Sequence, residues 1–474
     1  MSGPMNTISR SDGQTDIWSS IKEALRGSRQ DYTEGPIGRA ILLLAVPMVL
    51  EMFMESLFAV ADVFFVSRLG ADAVAAVGLT ESLLAIVYTV AMGLSIGVSA
   101  TVARRIGEHD TERAASTAVQ GIAIGLVVAL LFGLGGFLFA PRLLQLMGAS
   151  ASVVAIGTGY ARIMLGGNAA IMLLFLLTAI FRGAGDAAIA MRVLWFANAI
   201  NILLGPCLIF GLGPFPEMGV AGAATATTFG RSMGVVVQLY ALARKSDRVR
   251  ILARHLRVIP SVMWQLVRLS GTGMFQVLVG TASWIGLVRV LSTFGSDALA
   301  GYTISIRVIL FTLLPAWGLS NAAATMVGQA LGAKKPDRAE AAVWMAGRFN
   351  LVFLGSVGVL YFIFAPAIIG AFSHSPLVDQ YGIEAIRIIA LGFPMYAWGM
   401  VLTQSFNGAG DTWTPTLINI GCFWFWEIPL ALVLSTHFGF GPRGVFIAIA
   451  VAFSTLAIVS GVLFRRGKWK TRSV

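Results

Sequence analysis

The sequence predicts an all-α polytopic membrane protein with 12 transmembrane helices, arranged as two six-helix lobes related by a parallel internal repeat. Three observations predict it. Of the 474 residues, 57% are hydrophobic and 12% charged, with mean hydropathy +0.81. Soluble domains carry about 25% charged residues, so this chain has too little polar surface to coat a water-facing globule. Apolar stretches of about 20 residues recur from Leu42 onward, the length a helix needs to cross lipid. Finally, FRGAGD at 181–186 returns as FNGAGD at 406–411, an offset of 225 positions.

Helix follows from the solvent, because backbone polar groups in lipid must be satisfied within each segment. The alternation of a porin strand is absent. The first 36 residues form a tail without the apolar core of a cleavable signal. Within it, DIWSSIKEALRG places Ile17, Ile21, Ala24 and Leu25 on one face, predicting a short amphipathic helix on the inner membrane surface or a solvated tail helix. Residues 37–243 are read as the first lobe, 244–260 as a basic linker, 261–464 as the second lobe, and 465–474 as a basic tail.

The net charge of +11 is not spread evenly. Basic residues cluster in alternate loops: Arg10 to Arg39, Arg104 with Arg105 and Arg113, Arg182 with Arg192, Arg244 to Arg257, Lys334 with Lys335 and Arg338, and Arg465 to Arg472. The intervening loops hold little beyond Arg68, Arg142 and Arg443. This is the positive-inside bias, which places both termini in the cytoplasm; the plasma (inner) membrane is the expected location. Basicity is therefore read as topology, and no nucleic-acid partner is expected. Cys207 and Cys422 lie in apolar segments, and His109, His255, His374 and His437 are far apart, so no zinc site is expected.

The offset of 225 also pairs RLGADAVAAVGL at 68–79 with TFGSDALAGYTI at 293–304, Gly107 with Gly332, Arg113 with Arg338, and Gly219 with Gly444. One offset held over so long a stretch means a duplicated unit. Six spans return the chain to its starting side, so the copies insert in the same orientation, related by an axis along the membrane normal. The GAGD sequences fall between spans four and five of each lobe. Their glycines permit a reversal, and Asp186 or Asp411 is placed to accept from the first amides of the next helix. A phosphate loop would need a Lys-Ser or Lys-Thr at the helix start, which neither copy has.

AVPMVLEMFMESLFAVADVFFVSRLGADAVAAVGL, the paired GAGD loops and GLGPFPEMGVAGAATAT, in this order, resemble the multidrug and toxic compound extrusion (MATE) family from about Gly35 to the end. The resemblance implies secondary antiport: export of amphipathic, often cationic, small organic compounds driven by inward protons or sodium. It implies no cofactor and no catalytic residues. A single chain surrounded by membrane lipid is expected to suffice.

An ionisable residue inside a span is costly and a functional candidate by default. The first span carries Glu51, Glu55 and Asp62. At about 100° per residue, Glu55 lies about 40° from Glu51, and Asp62 about 20° from it, so the three share one stripe. Carboxylates so placed cannot all ionise cheaply. Asp62 stands fifteen residues after Pro47, as does the family's first-helix aspartate, which the resemblance implies is the cation-coupling residue. Pairing with an arginine, or capping a bend, is the alternative reading. Glu51 is a substrate-binding candidate or a solvated acid at the inner mouth.

In the fifth span Asn198 and Asn201 are polar partners for coupling, or plain interhelical hydrogen bonds. The family pattern of an Asn followed four positions later by Asp meets Gly205 here, and Glu55 is the acid that can replace it. Asn168 and Thr225 are weaker candidates. Were sodium the coupling ion, Asp62 would be its metal ligand. Positions that carry carboxylates on helices seven and ten in another branch hold Gly280 and Tyr396.

In the second lobe, Glu427 follows Phe423, Trp424, Phe425 and Trp426, a receptor for an organic cation or an interfacial aromatic belt. Tyr396 and Trp398, with Met395 and Met400, are candidate cleft residues of a repackable, promiscuous surface. Arg289 and Arg307 are candidate partners for an acid, and Glu81 a cap at the start of its span. A lipid-linked oligosaccharide or lipid flippase is the alternative function, but it would call for a strongly basic cleft. An intramembrane enzyme would need a nucleophile–base pair or metal ligands, and a channel would not need buried acids.

Overall fold

A computed structural model describes residues 17–28, 30–244, 246 and 248–472. The first helix, α1 (Ile17–Arg26), forms where the amphipathic pattern places it, but Ala24 is buried while Trp18 is exposed. It rests on α2 and α7, tied by Arg192 donating to the Leu25 carbonyl at 2.7 Å.

The first lobe comprises α2 (Ile37–Ser67), α3 (Ala71–Gly107), α4 (Thr111–Leu146), α5 (Ala151–Gly166), α6 (Asn168–Ala184), α7 (Ala187–Phe210) and α8 (Val220–Arg244). The second comprises α9 (Pro260–Leu291), α10 (Ser296–Gly332), α11 (Pro336–Gly370), α12 (Pro376–Leu391), α13 (Phe393–Gly408), α14 (Trp413–Asn419), α15 (Ile428–Leu432) and α16 (Pro442–Arg465). Among the described residues, ten spans are long and apolar enough to cross a membrane, and the pair α12–α13, bent by 57°, makes an eleventh. The sixth span of the first lobe is α8, whose 25 residues suffice in length but include Arg231 and Gln238. Two breaks fall at matched glycines: Gly167 separates α5 from α6, and Gly392 separates α12 from α13.

One end of the bundle holds the linker 244–260 and both ends of the described chain; this is called the linker end. There α3 and α10 cross backbone to backbone. A Cβ on Gly107 would run into the Gln329 carbonyl, and one on Gly332 into the Arg104 carbonyl, positions related by the repeat offset. The first helix of each lobe also crosses to the other lobe at this end. Ala40, Ile41, Leu44 and Met48 of α2 pack into one apolar core with Ala322, Ala323 and Met326 of α10 and Ala346 of α11. Leu266 of α9 belongs reciprocally to the core of the first lobe. The lobes are thus joined at the linker end, while the remaining second-lobe core, around Leu313, Leu354, Phe393 and Phe446, stays within its own lobe.

The GAGD turns close as expected in one respect and differ in another. Gly185 and Gly410 both adopt left-handed φ, +86° and +81°, a conformation that costs glycine little. Asp411 accepts from the Thr414 amide at 3.3 Å. Asp186 makes no side-chain cap to α7; it accepts from Ser246 Oγ at 3.1 Å and pairs with Arg248 at 3.4 Å, anchoring the linker instead.

Candidate ion-coupling and substrate cavity

A cavity of about 220 Å³ lies between the lobes, one to two helical turns from the α3–α10 crossing. Glu51 and Glu55 line it from α2, Arg182 from α6 and Arg231 from α8, while Asn321, Gln404 and Asn407 line it from α10 and α13. Met92, Phe175, Leu314 and Trp317 supply apolar wall. The second-lobe amides form a chain: Gln404 donates to Asn321 at 3.2 Å, and Asn407 donates to Gln404 at 2.6 Å.

The acidic stripe on α2 is divided among different partners. Glu51 is buried, and both its oxygens accept from Arg182, one of them from Nε at 3.2 Å. Glu51 is therefore neither a solvated acid nor a free substrate ligand. Arg182, read in the sequence as a loop charge, lies in the last turn of α6 with its side chain turned inward and committed to that pair.

Glu55 accepts from Asn198 Nδ2 at 3.3 Å and lies 3.8 Å from the Arg231 guanidinium. Arg231 is 6% exposed and donates to the Tyr88 hydroxyl at 2.9 Å. Asp62, about two turns further along the same helix, is part-buried and sits within electrostatic reach of Glu81 and Arg231. Glu81 does not cap its span, because α3 begins ten residues earlier at Ala71. Tyr160 on α5 is buried beside the same charges. The first lobe thus holds a cluster of Glu55, Asp62, Glu81, Tyr88, Tyr160 and Arg231.

Other expected residues fall elsewhere. Asn201 donates to Thr227 at 2.7 Å, an interhelical bond between α7 and α8. Asn168 donates to the Leu165 carbonyl at 2.6 Å and holds the α5–α6 break, and Thr225 bonds within its own helix. Tyr396 stacks on Phe453 with ring centroids 3.9 Å apart, and Trp398 packs on Trp344 and over Gly347. Neither lines the inter-lobe cavity. Glu427 is buried within the second lobe, away from that cavity; Trp424, Phe425 and Trp426 before it are exposed, Phe425 at 75%, while Phe423 packs against the core shared by the lobes. The cation receptor expected from CFWFWE is not assembled. Arg289 and Arg307 are exposed and pair with none of these acids. Among the described residues no group of three or more His, Cys, Asp or Glu side chains is arranged to hold a metal ion.

Sequence reasoning missed Arg231 and the inward turn of Arg182. The first stands out in hindsight as an arginine inside GAATATTFGRSMGVVV, an otherwise uncharged span.

Two pseudo-symmetric helical lobes around a charged cavity define a polytopic membrane transporter. The sequence profile of the MatE family matches residues 47–207 and 273–433, once per lobe. These matches cover more than half of the chain, which therefore belongs to the MatE family of multidrug efflux transporters. The chain is 27% identical to the probable multidrug resistance protein NorM of Thermotoga maritima, over 92% of this chain and 94% of that one. It is 24% identical to the FAD transporter of Shewanella oneidensis, over 92% and 96%. A solved outward-facing multidrug resistance MATE transporter of the MOP superfamily superposes with a TM-score of 0.86 at 27% identity, covering 93% of this chain and 98% of that chain. A MOP superfamily transporter from Pyrococcus furiosus, described as having a binding pocket of reversed polarity, matches with the same TM-score of 0.86 and 27% identity, over 93% and 98%.

Proposed function

We propose that the protein exports amphipathic organic cations across the plasma membrane in exchange for protons or sodium, by alternating access of the inter-lobe cavity, with both termini cytoplasmic. The observation that carries this reading is the placement of two α2 acids, Glu51 and Glu55, on the wall of a cavity shared by both lobes, with Asp62 further along the same stripe. Glu55, whose side chain is 30% exposed, is the acid open to an organic cation, while Met92, Phe175 and Trp317 accept its apolar body. Asp62, Glu55 and Asn198 form the coupling group, and Asn201, three residues on from Asn198, ties α7 to α8 through Thr227.

In the cycle, the small cation enters the α2 cluster from the far end and displaces the organic solute. The lobes then part at the linker end, the cation leaves, and the emptied carboxylates take up new solute. Coupling requires that both ligands bias one conformational equilibrium in opposite directions. The inter-lobe arginines are already matched to acids, which disfavours a pyrophosphate-binding flippase cleft.

The test is dye efflux from proteoliposomes under an imposed pH or sodium gradient. Asp62→Asn is expected to fold and insert but to lose uphill export. Export at the wild-type rate by that variant would remove Asp62 from the mechanism.

A further inference from the structure

Arg231 has no role in the coupling scheme above, yet it is the most deeply placed charge of the cluster. Its guanidinium, 6% exposed, lies 3.8 Å from Glu55, donates to Tyr88 at 2.9 Å, and sits over the rings of Phe58 and Tyr88 at 5.8 Å. Asp62 and Glu55 on α2, Glu81 and Tyr88 on α3, and Tyr160 on α5 all share this field, α7 contributes only the neutral Asn198, and Glu51, one turn from Glu55, is already paired with Arg182 of α6. We propose that Arg231 is a built-in counter-cation that occupies the place of a metal ion among these carboxylates and so restricts the coupling ion to the proton.

The donor pattern around Glu55 supports this. Its partners are N–H groups, from Asn198 and Arg231, rather than the five or six oxygens a sodium ion requires. Asn201 spends its amide N–H on Thr227 and does not turn towards the acids. A sodium ion seated between Glu55 and Asp62 would have to displace the Asn198 and Arg231 N–H groups that already hold Glu55. A proton needs only one carboxylate oxygen. It passes from far-end water to Glu55 or Asp62, and the guanidinium keeps all its protons and stays with Tyr88 and the remaining carboxylates. Neutralising one acid loosens its hold on Arg231 and frees α2 from α8. Release of the proton towards the linker end restores the pair.

This inference deepens the export reading and rests on it for its meaning, but its test does not need export. The pH midpoint of tryptophan fluorescence is measured on detergent-purified protein in sodium chloride and in choline chloride. The expected wild-type midpoint is the same in both salts. In Arg231→Met it moves up by about one pH unit or more, tenfold in proton concentration, because the carboxylates lose their fixed cation. Arg231→Lys, which retains charge, is expected to stay near wild type. A wild-type midpoint that falls when sodium replaces choline overturns the proposal, as does an Arg231→Met midpoint that does not move. The salt comparison needs no variant, so it decides even if Arg231→Met does not fold. If the midpoints behave as expected but no gradient drives dye out of proteoliposomes, the export reading fails and the assignment of Arg231 stands.

Discussion

At the scale of single residues, the pair of buried Glu51 and half-buried Arg182 is locked together rather than free to exchange partners. Removing either partner leaves the other desolvated and alone, at a cost of about 3–5 kcal/mol, whereas replacing both is far milder. Glu51→Gln and Arg182→Gln are each expected to lower thermal stability in detergent markedly, and the double variant to recover most of the loss, as a double-mutant cycle would measure. A second residue-level feature is backbone strain at matched positions: His109 and Lys334, 225 apart, both hold φ at +57°. His109→Gly and Lys334→Gly are expected to leave the melting temperature unchanged or raise it, while valine at either site lowers it by about 1–2 kcal/mol of stability. The acids at this scale were legible in the sequence, because helical periodicity alone aligns Glu51, Glu55 and Asp62. Their partners were not. Arg182 is separated from Glu51 by 131 positions, and no local pattern links them. Positive-inside counting also filed Arg182 with the loops, since it lies at the very end of its helix.

At the scale of elements, the crossing of α3 and α10 depends on the absence of side chains at Gly107 and Gly332. Leucine at either position cannot be accommodated without separating the lobes at the linker end. Gly107→Leu and Gly332→Leu are therefore expected to widen spin-label distances across that end, and a variant that keeps the wild-type distances would show the crossing to be dispensable. The repeat made these glycines visible as a pair, but their meaning needed the backbones they face. The span Trp413–His437 shows the opposite limit. Wide π turns at Ile420–Glu427 and Val433–His437 flank α15, where Pro429 removes an amide and crowds the carbonyl one turn earlier. Those turns rotate Trp424, Phe425 and Trp426 outward and Glu427 inward. An ideal helical projection has no means of anticipating that rotation, which is why the aromatic receptor read from CFWFWE did not form.

At the scale of the whole molecule, composition and the internal repeat made the two lobes legible, because lipid allows few architectures and duplication fixes the symmetry. The exchange of first helices was not legible. Apolar residues at the start of α2 read as core, but nothing in their spacing says which lobe's core they join. Expressed alone, residues 1–243 are expected to leave the first half of α2 open to protease and to alkylation of a cysteine placed at Leu44, and co-expression of residues 244–474 to protect it.

That exchange also bears on how the protein is made. Leu44 and Met48 leave the ribosome long before Ala322 and Met326, the residues against which they finally pack. During the interval the opening segment sits in the bilayer with its eventual seat still unsynthesised, holding three acidic side chains that lipid does not welcome. A nascent chain stalled midway would be a natural target for membrane quality control. Its survival would depend on how quickly translation delivers the eighth span.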